Sequence, residues 1–213
     1  MPAEFWASMK DLIVLVADKN MDFLLRGLLL RLQRVENIRD FTYDQFIHPE
    51  RDPGVYNDAS KFLGIYSVDY SYALVILDRI GSGREKKSRE VIEEDIESRL
   101  SRSGWNDRAC AIAIDPELEN WVWVNETWVK RSVAWEQEMG VYDWLHKNNW
   151  KTIEKSKPDN PKEAFEAVLK HCRTPRSSSI YHEISTNASY QQCKDPAFQK
   201  MLNQLKVWFE VAL

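Results

Sequence analysis

Leu12-Ile-Val-Leu-Val-Ala-Asp18, Ala73-Leu-Val-Ile-Leu-Asp78 and Ala109-Cys-Ala-Ile-Ala-Ile-Asp115 decide the fold. Each is a short, unbroken apolar run that stops at an aspartate, the pattern of a strand covered by helices on both faces. Between the first two runs, Phe23, Leu24, Leu28 and Leu32 recur at helical spacing from Asn20, read as the cap, to about Arg34. Phe41 to Ile47 offers a weaker, more polar strand. After Asp78, the Gly81-Ser-Gly83 turn leads into a helical stripe of Val91, Ile92, Ile96 and Leu100, placed between Glu85 and about Arg102 with Gly104 as its stop. Strand, helix, strand, helix, strand predicts an α/β fold with right-handed parallel crossovers.

From Glu117 the pattern changes. Trp121, Trp123, Trp128, Trp135, Trp144 and Trp150 crowd one stretch, which reads as core more readily than as interface because indoles bury large areas. Lys151 to Pro161 reads as a surface loop, and three helices are predicted over Pro161–Cys172, Ser177–Ala188 and Asp195–Val211. The expected organisation is an α/β core over residues 1–125 and a helical extension over 126–213 packed on it as one compact unit.

Composition narrows the function. With 213 residues and 44% hydrophobic content the chain buries a full core. A formal charge of −4 gives no whole-molecule attraction for nucleic acid or an anionic membrane, so any polyanion site must be a local patch. Cys110, Cys172 and Cys193 are too few and too scattered for a disulfide framework or a four-thiolate zinc site. These cysteines, with no basic-then-apolar leader and no membrane-length run, lead to the expectation of a cytoplasmic protein with no membrane partner.

In a parallel sheet the strand C-termini share one rim, where open α/β folds bind ligands. Asp18, Asp78 and Asp115 are therefore expected as neighbours there, joined by Glu117 and Glu119 just past the last run. Carboxylates so crowded raise one another's pKa unless a cation sits among them, and hard oxygen ligands suit Mg²⁺ or Mn²⁺. All five acids are accordingly expected as metal ligands, with Asp18, Asp78, Glu117, Glu119 and His48 as catalytic candidates. Strand-end aspartates also cap helices and open turns, and Asp115-Pro116 has the form of a turn starter. His48-Pro-Glu-Arg51-Asp-Pro-Gly54 reads as a loop on the same rim that offers an imidazole, two carboxylates and a guanidinium. Lys19, Arg51, Arg79 and Arg84 are the phosphate-binding candidates. Arg173-Thr-Pro-Arg176-Ser-Ser-Ser179 joins two late helices and could bind phosphate at a helix N-terminus, but with no sign in sequence that it folds over the rim it is read as a loop. No nucleophile triad and no His–Cys metal spacing stands out.

Val14-Leu-Val-Ala-Asp18-Lys, Ala73-Leu-Val-Ile-Leu-Asp78 and Ile114-Asp-Pro-Glu117-Leu-Glu119-Asn-Trp121 resemble the Toprim-like domains of bacterial anti-phage proteins, over roughly residues 11–125. Pro161-Lys-Glu163, Ser178-Ser-Ile-Tyr181 and Cys193-Lys-Asp-Pro-Ala-Phe198 look like the helical tail of that group, and the whole chain is similar to a small component of methylation-associated defence systems. The resemblance implies a Toprim-like (Rossmannoid), four-stranded, mainly parallel sheet flanked by helices. It further implies Mg²⁺-dependent phosphodiester chemistry and partners such as an ATPase, with DNA or RNA. The family's glutamate after the first strand falls at Ala17-Asp18, and its Asp-x-Asp falls at Asp78-Arg79-Ile80, so one acid of each motif is replaced. Two readings stay open: a metal-dependent nuclease with an incomplete acidic motif, and a catalytically degenerate subunit that binds a partner protein or nucleic acid. Nucleotide binding at the rim beside Gly81-Ser-Gly83 is a weaker third.

Overall fold

The structure is a computed structural model that describes residues 9–152 and 155–211. The three aspartate-ended runs form β1 (Lys10–Val16), β3 (Tyr70–Asp78) and β4 (Ala109–Ile114), and the weaker stretch supplies β2 (Tyr43–Ile47). Strand order is β2-β1-β3-β4, and every neighbouring pair is parallel, so the sheet expected to be mainly parallel is wholly so. Burial explains the sequence signature: Leu12 to Val16, Ala73 to Leu77 and Ala111 to Ile114 are sealed from solvent, while edge strand β2 is only half-buried.

The crossovers are α1 (Lys19–Val35), α2 (Arg51–Gly64) and α3 (Arg89–Leu100). The chain moves from β1 toward one edge through α1 and back toward the other through α2 and α3. Right-handed connections therefore place α1 on the face opposite α2 and α3, and the direction reverses between β1 and β3.

Three local expectations are corrected. The cap of α1 is Asp18, whose carboxylate accepts from the Met21 amide at 2.9 Å, and not Asn20. Helix α3 begins at Arg89 with Ser88 as its cap, because the residues from Gly81 are spent on turns. The loop expected through Gly54 is already α2 from Arg51 onward. Pro53 reads as a breaker, yet proline in a helix's first turn removes only an amide that has no intrahelical partner. Gly54 is required there because a Cβ would lie 2.2 Å from His48 Nδ1.

The C-terminal half adds α4 (Glu119–Val122), α5 (Glu126–Ser132), α6 (Val141–Lys147), α7 (Pro161–Cys172), α8 (Ser178–Asn187) and α9 (Pro196–Trp208). Helix α8 packs along α1, with Gly27 at the crossing, and α9 packs on β4. Trp121 and Trp123 are fully buried, and their indole N–H groups donate to Asp195 Oδ1 and the Pro161 carbonyl, both at 2.9 Å. One continuous apolar cluster runs through the sheet and these helices. No helix among the described residues is long and apolar enough to cross a membrane, and the three cysteines are unpaired.

Candidate functional site

Strand register decides which strand-end acids meet. Val16 pairs with Ile76, so continuing two residues brings Asp18 level with Asp78 and on the same side of the sheet. Asp78 itself pairs with Ile114, which puts Asp115 one residue further on and on the opposite side. Asp115 accordingly stands apart, half-exposed, with Arg79 Nε 2.8 Å from its Oδ1. The expected trio of aspartates is thus two aspartates and an outlier.

Asp78 is the centre of the rim. Its Oδ1 is shut off from solvent and has no hydrogen-bond partner among the described residues. Burial raises its pKa well above the carboxylate range, and Asp52, Glu119, Asp18 and Glu117, in that order, push it further. Asp52, which sequence reading placed only in a loop, occupies the first turn of α2 and accepts from the Asp78 amide at 2.8 Å. Burial raises its pKa too, against that hydrogen bond, with the Asp18 charge adding to the rise.

Glu117 and Glu119 are buried, and the extension neutralises both. Tyr181 of α8 donates its hydroxyl to Glu119 Oε1 at 2.6 Å, and Arg176 Nη2 lies 3.2 Å from the same oxygen. The net result of burial, opposed by the Tyr181 hydrogen bond, is a raised Glu119 pKa. Lys162 of α7 sits 3.5 Å from Glu117 Oε2. Burial opposes its charge, but Glu117 and then Glu119 outweigh it, and its pKa rises.

The basic candidates separate. Lys19, at the start of α1, and Arg51, at the start of α2, line an open cleft of about 470 Å³ together with Asp18, His48, Lys162 and Arg176. Arg51 holds a left-handed backbone, φ 54°, which L-residues adopt at a cost of about 1 kcal/mol. Arg79 turns to Asp115, and Arg84 lies over the Tyr56 ring of α2, 4.7 Å from its centroid, outside the cleft lining. His48 is buried, accepts from the Glu50 amide through Nδ1 at 3.1 Å and packs against Phe62.

These donors do not make a preformed divalent-metal site. Asp18 caps α1, Asp52 holds the Asp78 amide, and Glu117 and Glu119 face a lysine, an arginine and a tyrosine. Among the described residues, no three His, Cys, Asp or Glu side chains are grouped to hold a metal ion. Lys162, Arg176 and Tyr181 carry no signal in sequence that ties them to the rim. They arrive from about 45 to 160 residues away because α7 and α8 fold back over the strand ends.

The fold and site define an α/β protein with a parallel four-stranded sheet, whose acidic strand-end rim is closed over by its own C-terminal helices. The chain matches no family model, no curated protein and no solved structure.

Proposed function

We propose that this protein is a catalytically degenerate, Toprim-like subunit of a bacterial anti-phage defence assembly, acting by binding rather than by phosphodiester cleavage. The observation that carries this reading is the internal neutralisation of the rim. Of the carboxylates around Asp78, Glu117 and Glu119 already face Lys162 and Arg176, and Asp18 and Asp52 already accept backbone amides. A cation entering the rim competes with two ammonium and guanidinium groups tethered at high effective concentration. The missing glutamate at Ala17-Asp18 and the missing second aspartate at Ile80 fit the same history. Nucleic acid, or a partner such as an ATPase of the same system, is the proposed ligand, in the cytoplasm.

The test is a cleavage assay on single- and double-stranded DNA and RNA with Mg²⁺ or Mn²⁺, with Asp78→Ala alongside. The proposal expects equal, background cleavage in both preparations. Metal-dependent cleavage lost only in Asp78→Ala overturns it.

A second reading, Mg²⁺- or Mn²⁺-dependent phosphodiester cleavage, has one specific observation in its favour. Asp78 keeps a sealed, unpartnered carboxylate oxygen in the midst of four other acids, which is unfavourable unless something compensates it. In that reading Asp18, Asp52 and Asp78 are the residues that would hold the ion.

A further inference from the structure

We propose that the cleft between the start of α1, the turn into α2 and the α7–α8 connection binds a phosphate ester, and that the C-terminal helices supply half of its cations. This deepens, and rests on, the reading of the protein as a binding subunit.

Four cations from separate parts of the chain line this cleft: Lys19, Arg51, Lys162 and Arg176. The carboxylate among the lining groups is Asp18, which is committed to the Met21 amide. Lys19 and Arg51 form no ion pair with any described residue. Lys162 approaches Glu117 only at 3.5 Å, the outer limit of a hydrogen bond, so its ammonium donors keep capacity for a closer acceptor. Arg176 is anchored through Glu119 and Glu166, which fixes the guanidinium at the cleft wall.

Converging cations of mixed Lys and Arg type suit a tetrahedral oxyanion, approached from several directions, better than a single carboxylate. The ends of α1 and α8 reinforce the same sign. Both start at this place, where Ser178 of α8 donates its hydroxyl to Asn20 of α1 at 2.8 Å, and helix starts favour anions. A volume of about 470 Å³ exceeds that of a bare anion and falls in the range of small-ligand sites, so the phosphate belongs to a nucleotide or to a nucleic-acid chain. The acidic rim lies on the inner side of Lys162 and Arg176, which therefore face carboxylates on one side and open cleft on the other.

The experiment uses the full chain in EDTA, so that no metal chemistry contributes. Inorganic phosphate and a nucleoside monophosphate are followed by thermal shift, and a fluorescent single-stranded oligonucleotide by anisotropy. Lys19→Ala/Arg51→Ala is the first variant, since both residues are exposed and remove no ion pair; Arg176→Gln is the second. The proposal expects stabilisation by phosphate probes, and affinity at least tenfold weaker in both variants. A response only to the oligonucleotide assigns the phosphate to a nucleic-acid backbone, and a response also to the mononucleotide assigns it to a free nucleotide; either supports the site. No response to any probe, or an undiminished response in Lys19→Ala/Arg51→Ala, overturns it. Metal-dependent cleavage alongside intact phosphate binding would instead sink the degenerate reading and leave the cleft standing.

Discussion

Asp78 shows at the scale of one residue how the rim is held. A carboxyl whose pKa is higher in the folded chain than in the unfolded one takes up a proton on folding. Stability then falls as pH rises from the ordinary aspartate value through the raised folded value, and the full penalty remains above that. Asp78→Asn removes the penalty without changing shape. It should stabilise the protein by roughly 1–3 kcal/mol at neutral pH and above, with the gain shrinking to nothing below the pKa of an unfolded aspartate. Thermal melts of both proteins from pH 4 to 8 check this, and a variant less stable at pH 8 contradicts it. Tyr181 works in the opposite sense, because its hydroxyl is a direct donor to buried Glu119. Tyr181→Phe leaves that carboxylate short of a partner and should lower stability by about 1–3 kcal/mol in denaturant unfolding. Asp18, Asp78, Glu117 and Glu119 were all legible as rim residues, since each follows a strand run. Asp115 was misplaced, because a single residue of register decides the side of the sheet and composition carries no register.

Elements were more legible than their joins. The runs ending at Asp18, Asp78 and Asp115 announced strands, and the approximate range Pro161 to Cys172 was legible because proline opens the helix, whereas its close at a left-handed Arg173 carries no signal in sequence. Helix α2 was hidden by Pro53-Gly54, of which the glycine is explained by the tight approach to His48. The charges of α3, readable only as a solvated face, also close the sheet. Glu97 and Glu93 accept the outward amides of Ala111 and Ala113 on edge strand β4, each at 2.9 Å. Lys200 of α9 then bridges both acids and the Ala111 carbonyl. An edge strand so clamped offers no free ladder to another chain. Lys200→Met should cost about 1–3 kcal/mol, and a cycle with Glu97→Gln should show coupling between the two; additive effects contradict the clamp. At the α1–α8 crossing, a Cβ on Gly27 would meet Ser185 Oγ at 2.2 Å and the His182 carbonyl at 2.9 Å. Gly27→Ala should therefore destabilise by about 1–3 kcal/mol despite alanine's better helix propensity, and a neutral or higher melting temperature contradicts that.

On the scale of the whole molecule, the sequence conveyed an acidic rim without its counter-ions. Long-range placement is what a single sequence withholds: nothing in Pro161-Lys-Glu163 or Arg173–Ser179 states that α7 and α8 return to the ends of β1 and β2. Trp121 and Trp123 carry that return. They bury their rings against the C-terminal helices and satisfy their N–H groups on Asp195 and Pro161, so the extension is anchored to the strand that delivers Glu117 and Glu119. The rim and its neutralising cations are in this way parts of one packed structure. The most direct measurement is calorimetric titration of Mg²⁺ and of Mn²⁺ into the wild-type protein and Lys162→Met at pH 7.5. Internal neutralisation predicts no saturable binding to the wild type at millimolar metal, with binding emerging or strengthening once the ammonium is gone. Stoichiometric, Asp78-dependent metal binding by the wild type, unchanged or weakened in Lys162→Met, contradicts the account.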